Sequence, residues 1–173
     1  MQIDEKYKFI AKSSYILELG AAPGGWTQVV KERMANNAKV LACDLVEIQP
    51  IYNVTILTGD FITEITPPKV EELLGSDKVD LLLSDMAPAI SGNSIRDQAQ
   101  MLELGLGVLD KARELLNQDK GILLTKMFQG SDLQEFIQGL RRDGYKHKIV
   151  KPLASRSTSK EIYIIASRKA LNT

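Results

Sequence analysis

Short apolar runs alternate with stretches of helical periodicity along the chain. Residues 15–19 (YILEL), 39–45 (KVLACDL), 54–60 (VTILTGD), 79–85 (VDLLLSD) and 121–128 (GILLTKMF) are nearly continuous apolar runs, the pattern of strands buried on both faces. Residues 24–34 read as a helix, as does the segment KVEELLG after Pro67 and Pro68. Residues 95–117 predict a long helix, with Met101, Leu104, Val108 and Leu115 near helical spacing. Ser131 is placed to cap another that ends near Gly144. Two more strands, residues 145–151 (YKHKIVK) and 161–167 (EIYIIAS), flank the polar loop PLASRSTSK. Strand, helix, strand, repeated, calls for a parallel sheet covered on both faces. The last connection is too short for a crossover helix, so the last two strands should pair antiparallel. The expected architecture is a doubly wound α/β sheet ending in an antiparallel hairpin. With 173 residues and no linker, repeat or low-complexity segment, one domain is expected over residues 1–173.

Composition narrows the function classes. Hydrophobic residues make up 44% of the chain, and 22 basic residues balance 22 acidic ones, so net charge gives no overall pull toward nucleic acid. Cys43, the single cysteine, excludes an internal disulfide and a cysteine-rich metal site, and reads as a small buried residue. No apolar run approaches the ~20 residues of a membrane span, and no signal peptide opens the chain. A cytoplasmic protein is the expectation. Toward the C-terminus Arg141, Arg142, Lys146, Lys148, Lys151, Arg156, Lys160 and Arg168 face only Asp143 and Glu161. Such a basic end can contact phosphates, although a solvated surface gives the same pattern. At the other end Ile3, Tyr7 and Ile10 sit at helical spacing with no cap before them, so the sequence is expected to lack an N-terminal segment.

The candidate chemistry starts at LELGAAPGGW, residues 17–26. In open α/β sheets, ligands bind outside the carboxyl ends of strands where the strand order reverses. A pyrophosphate site wants G-x-G-x-x-G, but the order here is G-x-x-x-G-G, and Pro23 removes one N–H donor. S-adenosylmethionine carries no phosphate, and Gly20, Gly24 and Gly25 permit the close backbone approach that its methionine tail needs. A tight turn with no ligand would show the same glycines. Three acids weigh against that: Asp44, Asp60 and Asp85 end three successive expected strands and fall on one rim of the sheet. Asp44 is suited to ribose hydroxyls and Asp60 to an adenine amino group, though each could merely cap the next element. Lys126 lies in or at the end of a buried strand, where a lysine needs a partner or a task. Glu161 opens the last strand and can reach Lys126 and Asp85; a structural ion-pair network is the competing reading.

The motifs LGAAPGGW, ACDL, GDF, SDMAP, KMFQG and SKEIYIIA, in this order over nearly the whole chain, resemble the FtsJ/RrmJ (RlmE) family of ribosomal RNA 2′-O-methyltransferases. The resemblance implies a Rossmann-like S-adenosylmethionine-dependent methyltransferase fold, with a mostly parallel seven-stranded sheet, a final antiparallel strand and helices on both faces. It implies S-adenosyl-L-methionine as cofactor, at Gly24, Trp26, Asp44, Asp60 and Asp85. It implies a Lys-Asp-Lys-Glu tetrad around the ribose, whose last three members are Asp85, Lys126 and Glu161. The first lysine falls upstream of Gln2 in that family and has no match here, so activity of this chain could be impaired. The implied substrate is a uridine ribose of large-subunit ribosomal RNA, on the assembled subunit, with no metal, no membrane and a monomeric enzyme. RNA contact is expected from Arg141, Arg142, Lys146, Lys148 and Arg156. Lys126 either takes the proton of the 2′-hydroxyl or orients that hydroxyl and meets its developing charge; the sequence leaves both open. Two alternatives share the cofactor half: a 2′-O-methyltransferase of tRNA or of an mRNA cap, and a non-catalytic ribosome assembly factor that keeps the pocket. A nicotinamide-dependent reductase is disfavoured by Pro23 and the glycine spacing.

Overall fold

A computed structural model describes residues 2–152 and 159–170. Helix α1 (Gln2–Tyr7) precedes strand β1 (Tyr15–Leu19). Then follow α2 (Gly25–Arg33), β2 (Lys39–Asp44), β3 (Thr55–Thr58), α3 (Phe61–Glu64), α4 (Pro67–Leu74), β4 (Leu81–Ser84), α5 (Ser94–Leu115), β5 (Ile122–Phe128), α6 (Leu133–Arg142), β6 (Lys146–Val150) and β7 (Glu161–Ser167). The seven strands form one sheet in the order β3-β2-β1-β4-β5-β7-β6. Strands β1 to β5 pair parallel; β7 pairs antiparallel with both β5 and β6. The antiparallel hairpin therefore exists, but its second strand inserts between β5 and β6. The apolar pattern explains this order: Ile162, Ile164, Ile165 and Ala166 are buried, as a central strand requires. In β6, Lys146, Lys148 and Ile149 are exposed, which suits an edge.

Alternation along each strand sends side chains to two cores. One face carries Leu17, Leu19, Leu41, Leu82 and Leu123 against Val70, Leu74, Val108, Leu109 and Phe136 of α4, α5 and α6. The other carries Ile16, Val40, Leu81, Leu83, Leu124 and Ile165 against Ile3 and Tyr7 of α1 and Val30 of α2. Cys43 is 1% exposed in the first core. Each buried leucine or isoleucine of these strands contributes about 1.5–3 kcal/mol, so the strands hold their relative heights firmly.

Several element ends differ from the sequence expectation. Helix α4 starts on Pro67 itself, with the Thr66 hydroxyl accepting from Lys69 N, because proline needs no donor in a first turn. The short helix α3 was hidden because Asp60 both ends a strand run and caps a turn, its Oδ1 accepting from Ile62 N. Ser131 does not cap α6: Asp132 occupies that position without a side-chain cap bond, and the Ser131 hydroxyl donates to Asp132 Oδ1 at 2.7 Å. Helix α1 ends at Tyr7, so Ile10 is buried from the following turn rather than from a helix. Ile10 N donates to Asp4 Oδ1 at 3.0 Å, tying that turn back onto α1. Among the described residues no helix is long and apolar enough to cross a membrane.

Candidate active site

Strand order reverses between β1 and β4, and the chain leaves both strands at the same edge. Asp85 N donates to Leu19 O at 3.1 Å, locking the ends of β1 and β4 together. Gly20 follows with φ +72, and a Cβ there would lie 2.5 Å from Met86 Cγ. Only glycine fits both the left-handed backbone and the crossing chain. Beside this junction lies a cleft of about 430 Å³, lined by Gly20, Asp44, Leu45, Asp60, Phe61 and Asp85 among others.

The three acids meet on this rim, and each is used locally as well. Asp44 Oδ2 accepts from Ala22 N at 2.8 Å, and its Oδ1 accepts from Val46 N at 2.9 Å. Asp60 caps α3. Each carboxylate oxygen of Asp44 and Asp60 keeps a further lone pair for a ligand. Leu45 and Ile62 are 74% and 57% exposed at the rim, so they offer apolar walls. A phosphate would face three carboxylates here, whereas a nucleoside with hydroxyl and amino donors and a cationic tail is complementary to them. Gly24, Gly25 and Trp26 do not line the cleft. Gly24, at φ +105, shapes the turn into α2, beneath Ile48 and Ile51.

Glu18 was not anticipated as a site residue. It is fully buried on β1, and neither carboxyl oxygen has a hydrogen-bond partner among the described residues. Burial pushes its carboxyl up to about 7; the facing Thr27 hydroxyl opposes that rise, and the negative charges of Asp85 and Asp44 add to it. A buried carboxyl that has only the Thr27 hydroxyl facing it, two residues before Gly20 of the cleft lining, fits a ligand that brings its own positive charge. S-adenosylmethionine has two such groups, an ammonium and a sulfonium, so the residues present fit it. The sequence signal was an acid inside an otherwise apolar buried strand.

On the α1–α2 face of the sheet, Lys126, Asp85 and Glu161 converge. Lys126 Nζ lies 2.8 Å from Asp85 Oδ1 and 3.9 Å from Glu161 Oε1, and donates to the Asp85 carbonyl at 3.1 Å. Register explains the meeting: Lys126 pairs with Tyr163, and Phe128 pairs with Glu161, so all three rise to the carboxyl edge of β4 and β5. Tyr163, also not anticipated, donates its hydroxyl to Asp85 Oδ1 at 2.8 Å. Burial, then the Asp85 and Glu161 charges, push its phenol upward, so it remains a donor. The Trp26 ring sits 5.3 Å from the Tyr163 ring, tilted by 33°. Trp26 thus supports the tyrosine that holds Asp85. Among the described residues no group of three or more His, Cys, Asp or Glu could hold a metal ion.

The basic segment is not brought to this site. Lys146 pairs with Ser167, which pairs with Ile122 at the opposite edge of β5. Arg141 and Arg142 end α6 beside it. The physical reason is strand direction: β6 and β5 both pair antiparallel with β7, so β6 runs parallel to β5 and the turn after α6 enters it at the amino edge of the sheet. Lys148 pairs with Ile165 at mid-height. Arg156 lies outside the described residues.

A parallel sheet of this order, with ligand-facing acids at its switch point, is the Rossmann-like fold of S-adenosylmethionine-dependent methyltransferases. The chain belongs to the FtsJ-like methyltransferase family, whose model matches residues 1–169. It is 37% identical over 167 residues to a protein of Francisella philomiragia named ribosomal RNA large subunit methyltransferase E, covering 96% of this chain and 81% of that one. It is similar in structure to a ribosomal RNA methyltransferase of Plasmodium falciparum, at 30% identity and a TM-score of 0.82, covering 96% of this chain and 92% of that one. Fibrillarin of Aeropyrum pernix, solved with natively bound S-adenosyl-L-methionine, shares the fold at 19% identity and a TM-score of 0.67, covering 91% of this chain and 68% of that one.

Proposed function

We propose that this chain acts as one methyltransferase domain that methylates large-subunit ribosomal RNA on a ribose 2′-oxygen. The target is a uridine of the assembled subunit, and the enzyme works as a monomer in the cytoplasm. The observation that carries the reading is the cluster of Lys126, Asp85 and Glu161 at the strand edge next to the cleft. The relatives named as ribosomal RNA methyltransferases support the substrate class. The nucleotide and the assembled state rest on the motif resemblance.

Gly20, Asp44, Asp60 and Glu18 would hold the cofactor, which when bound would supply an electrophilic methyl on a positive sulfur. Lys126 is held toward Asp85 by two contacts, to its carboxylate and its carbonyl, which fixes the ammonium in place. From there it orients the hydroxyl oxygen and meets the negative charge that builds on it. The new oxygen–carbon bond would form as the carbon–sulfur bond breaks and leaves the sulfur neutral; the hydroxyl would then be strongly acidic, and its proton would pass to the carboxylate of Asp85 or Glu161, the acids beside Lys126. Tyr163 keeps Asp85 in register and does not touch the ribose. The geometry favours the orienting role of Lys126 over that of a base, because both nearest partners of its nitrogen are acceptors.

Titration calorimetry with S-adenosylmethionine, followed by transfer of labelled methyl to large subunits, to tRNA and to capped mRNA, tests the reading. Label in large-subunit RNA supports it. Label in tRNA or cap supports the alternative substrates, and cofactor binding without any transfer supports an assembly factor.

A further inference from the structure

Lys160 stands one residue before Glu161 and belongs, in sequence, to the basic run near the C-terminus. In the folded chain its ammonium is engaged. Lys160 Nζ donates at 2.7 Å to the hydroxyl oxygen of Ser94, the first residue of α5. Gln98 Nε2, one turn further along that helix, donates to the same oxygen at 3.1 Å. A hydroxyl oxygen has two lone pairs, so Ser94 can accept both. The Lys160 carbonyl accepts from Gln129 N at 2.7 Å, which carries the pairing of β5 with β7 one residue beyond Phe128 and Glu161. The start of α5, the end of β5 and the start of β7 therefore meet on one lysine.

Gly130 shows how closely they meet. A Cβ there would fall on the Gln98 side-chain amide, 2.5 Å from Cδ and nearer still to Oε1. Gly130 lies outside the left-handed backbone region, so space and not conformation demands a glycine. The same packing leaves Gln98 Oε1 buried with no hydrogen-bond partner among the described residues. An unpaired buried acceptor costs stability, so this close fit is kept against a cost.

Successive residues of a strand face opposite ways. Lys160 reaches the α5 face, while Glu161 reaches Lys126 on the α1–α2 face. Glu161 is loosely held by its own side chain. Its Oε1 lies 3.9 Å from Lys126 Nζ, and among the described residues its carboxylate accepts one hydrogen bond, from Ser159 Oγ at 3.3 Å. Its direction is therefore set by the backbone beneath it, and Lys160 pins that backbone from the opposite face. We infer that Lys160, through Ser94 and Gln98, is a positioning residue that keeps the Glu161 carboxylate facing Lys126, which rests on the proposed part of Glu161 in the transfer. Its charge serves a proton acceptor and not an RNA phosphate.

The test is the kinetics of methyl transfer to large subunits. Lys160→Met keeps the apolar stem and removes the donor; Lys160→Arg keeps a donor. Lys160→Met should lower kcat by about 5–10-fold with KM for subunits unchanged, because a small displacement of a reacting group costs rate steeply. Lys160→Arg should return kcat to within about 2-fold of wild type. In a Glu161→Gln background, Lys160→Met should have no further effect, since the two residues act as one unit. Asp85 remains an acceptor there, so labelled cofactor should still read a residual rate; if that rate vanishes, kcat and KM of Lys160→Met and its recovery in Lys160→Arg decide. Calorimetric affinity for S-adenosylmethionine and melting temperature should match wild type in both Lys160 variants. A raised KM with kcat retained would make Lys160 a phosphate contact and overturn the inference. Unchanged kinetics in Lys160→Met, or an equal loss with and without the Glu161 carboxylate, would also overturn it. A wild-type protein that transfers no methyl to any RNA overturns the functional reading itself.

Discussion

Two buried carboxyls in the same sheet are treated in opposite ways. Asp80, at the amino end of β4, is 4% exposed and fully partnered: it accepts from Ser14 N at 2.9 Å and Tyr15 N at 3.4 Å, and Lys120 Nζ lies 3.0 Å away. Glu18, at the carboxyl end of β1, is buried as deeply and has no hydrogen-bond partner among the described residues. The amino edge of the sheet uses its acids to hold strands together. The carboxyl edge leaves one without a protein partner and crowds three more around a cleft. Burial of a polar group without a partner costs stability, so the edge that keeps one is the edge built for a ligand.

The largest effect should come from the reacting edge. Lys126→Ala should lower methyl transfer by about 10³-fold or more, with calorimetric binding of the cofactor retained. Loss of binding together with activity would assign Lys126 to the cofactor instead.

The two carboxyls should then respond with opposite signs. Asp80→Ala leaves two buried N–H donors and a lysine without their acceptor, and should destabilise the fold by about 2–4 kcal/mol in urea unfolding. Glu18→Gln should stabilise it at high pH. A carboxyl raised to about 7 in the folded chain holds its proton more tightly there than when unfolded. It therefore costs nothing below the unfolded value; the penalty grows as pH rises toward 7 and is complete above it. Removing the charge should gain about 3 kcal/mol at pH 8, or roughly 6–12 °C in Tm, and almost nothing near pH 4. A variant that is less stable than wild type at pH 8 would break the contrast.

A smaller effect sharpens the site. Tyr163→Phe removes the hydroxyl that holds Asp85 and should reduce kcat by about 3–10-fold, with KM for RNA unchanged. An equal reduction in Trp26→Leu would show the ring pair acting as one support; a change confined to cofactor affinity would return Trp26 to the cofactor turn.

Much of this was readable in the chain. The continuous apolar runs specified β1, β2, β4 and β5, because burial on both faces leaves no alternation to misread; β3, a half-exposed edge strand, was marked by the shorter run before Gly59 and Asp60. Asp44, Asp60, Asp85, Lys126 and Glu161 were readable because each is a charged residue at the end of an apolar run. Strand insertion was not readable: which neighbour β7 takes depends on a tertiary choice that local periodicity does not encode. Nor was the edge reached by Arg141, Arg142 and Lys146 readable, since clustering in sequence says nothing about which end of the sheet a segment occupies. Glu18 and Tyr163 were passed over for a different reason. Each looks like one more strand residue until the partners of its polar atoms are traced.

Whether Lys126 and its carboxylates direct a methyl to a ribose oxygen is read most directly from alkaline digestion. Ribosomal RNA labelled by this protein from tritiated S-adenosylmethionine should be digested with alkali and its products separated. A methylated 2′-oxygen cannot attack the neighbouring phosphate, so the label should appear in an alkali-resistant dinucleotide, and Lys126→Ala should give none. Label released in mononucleotides would place the methyl on a base and contradict the account.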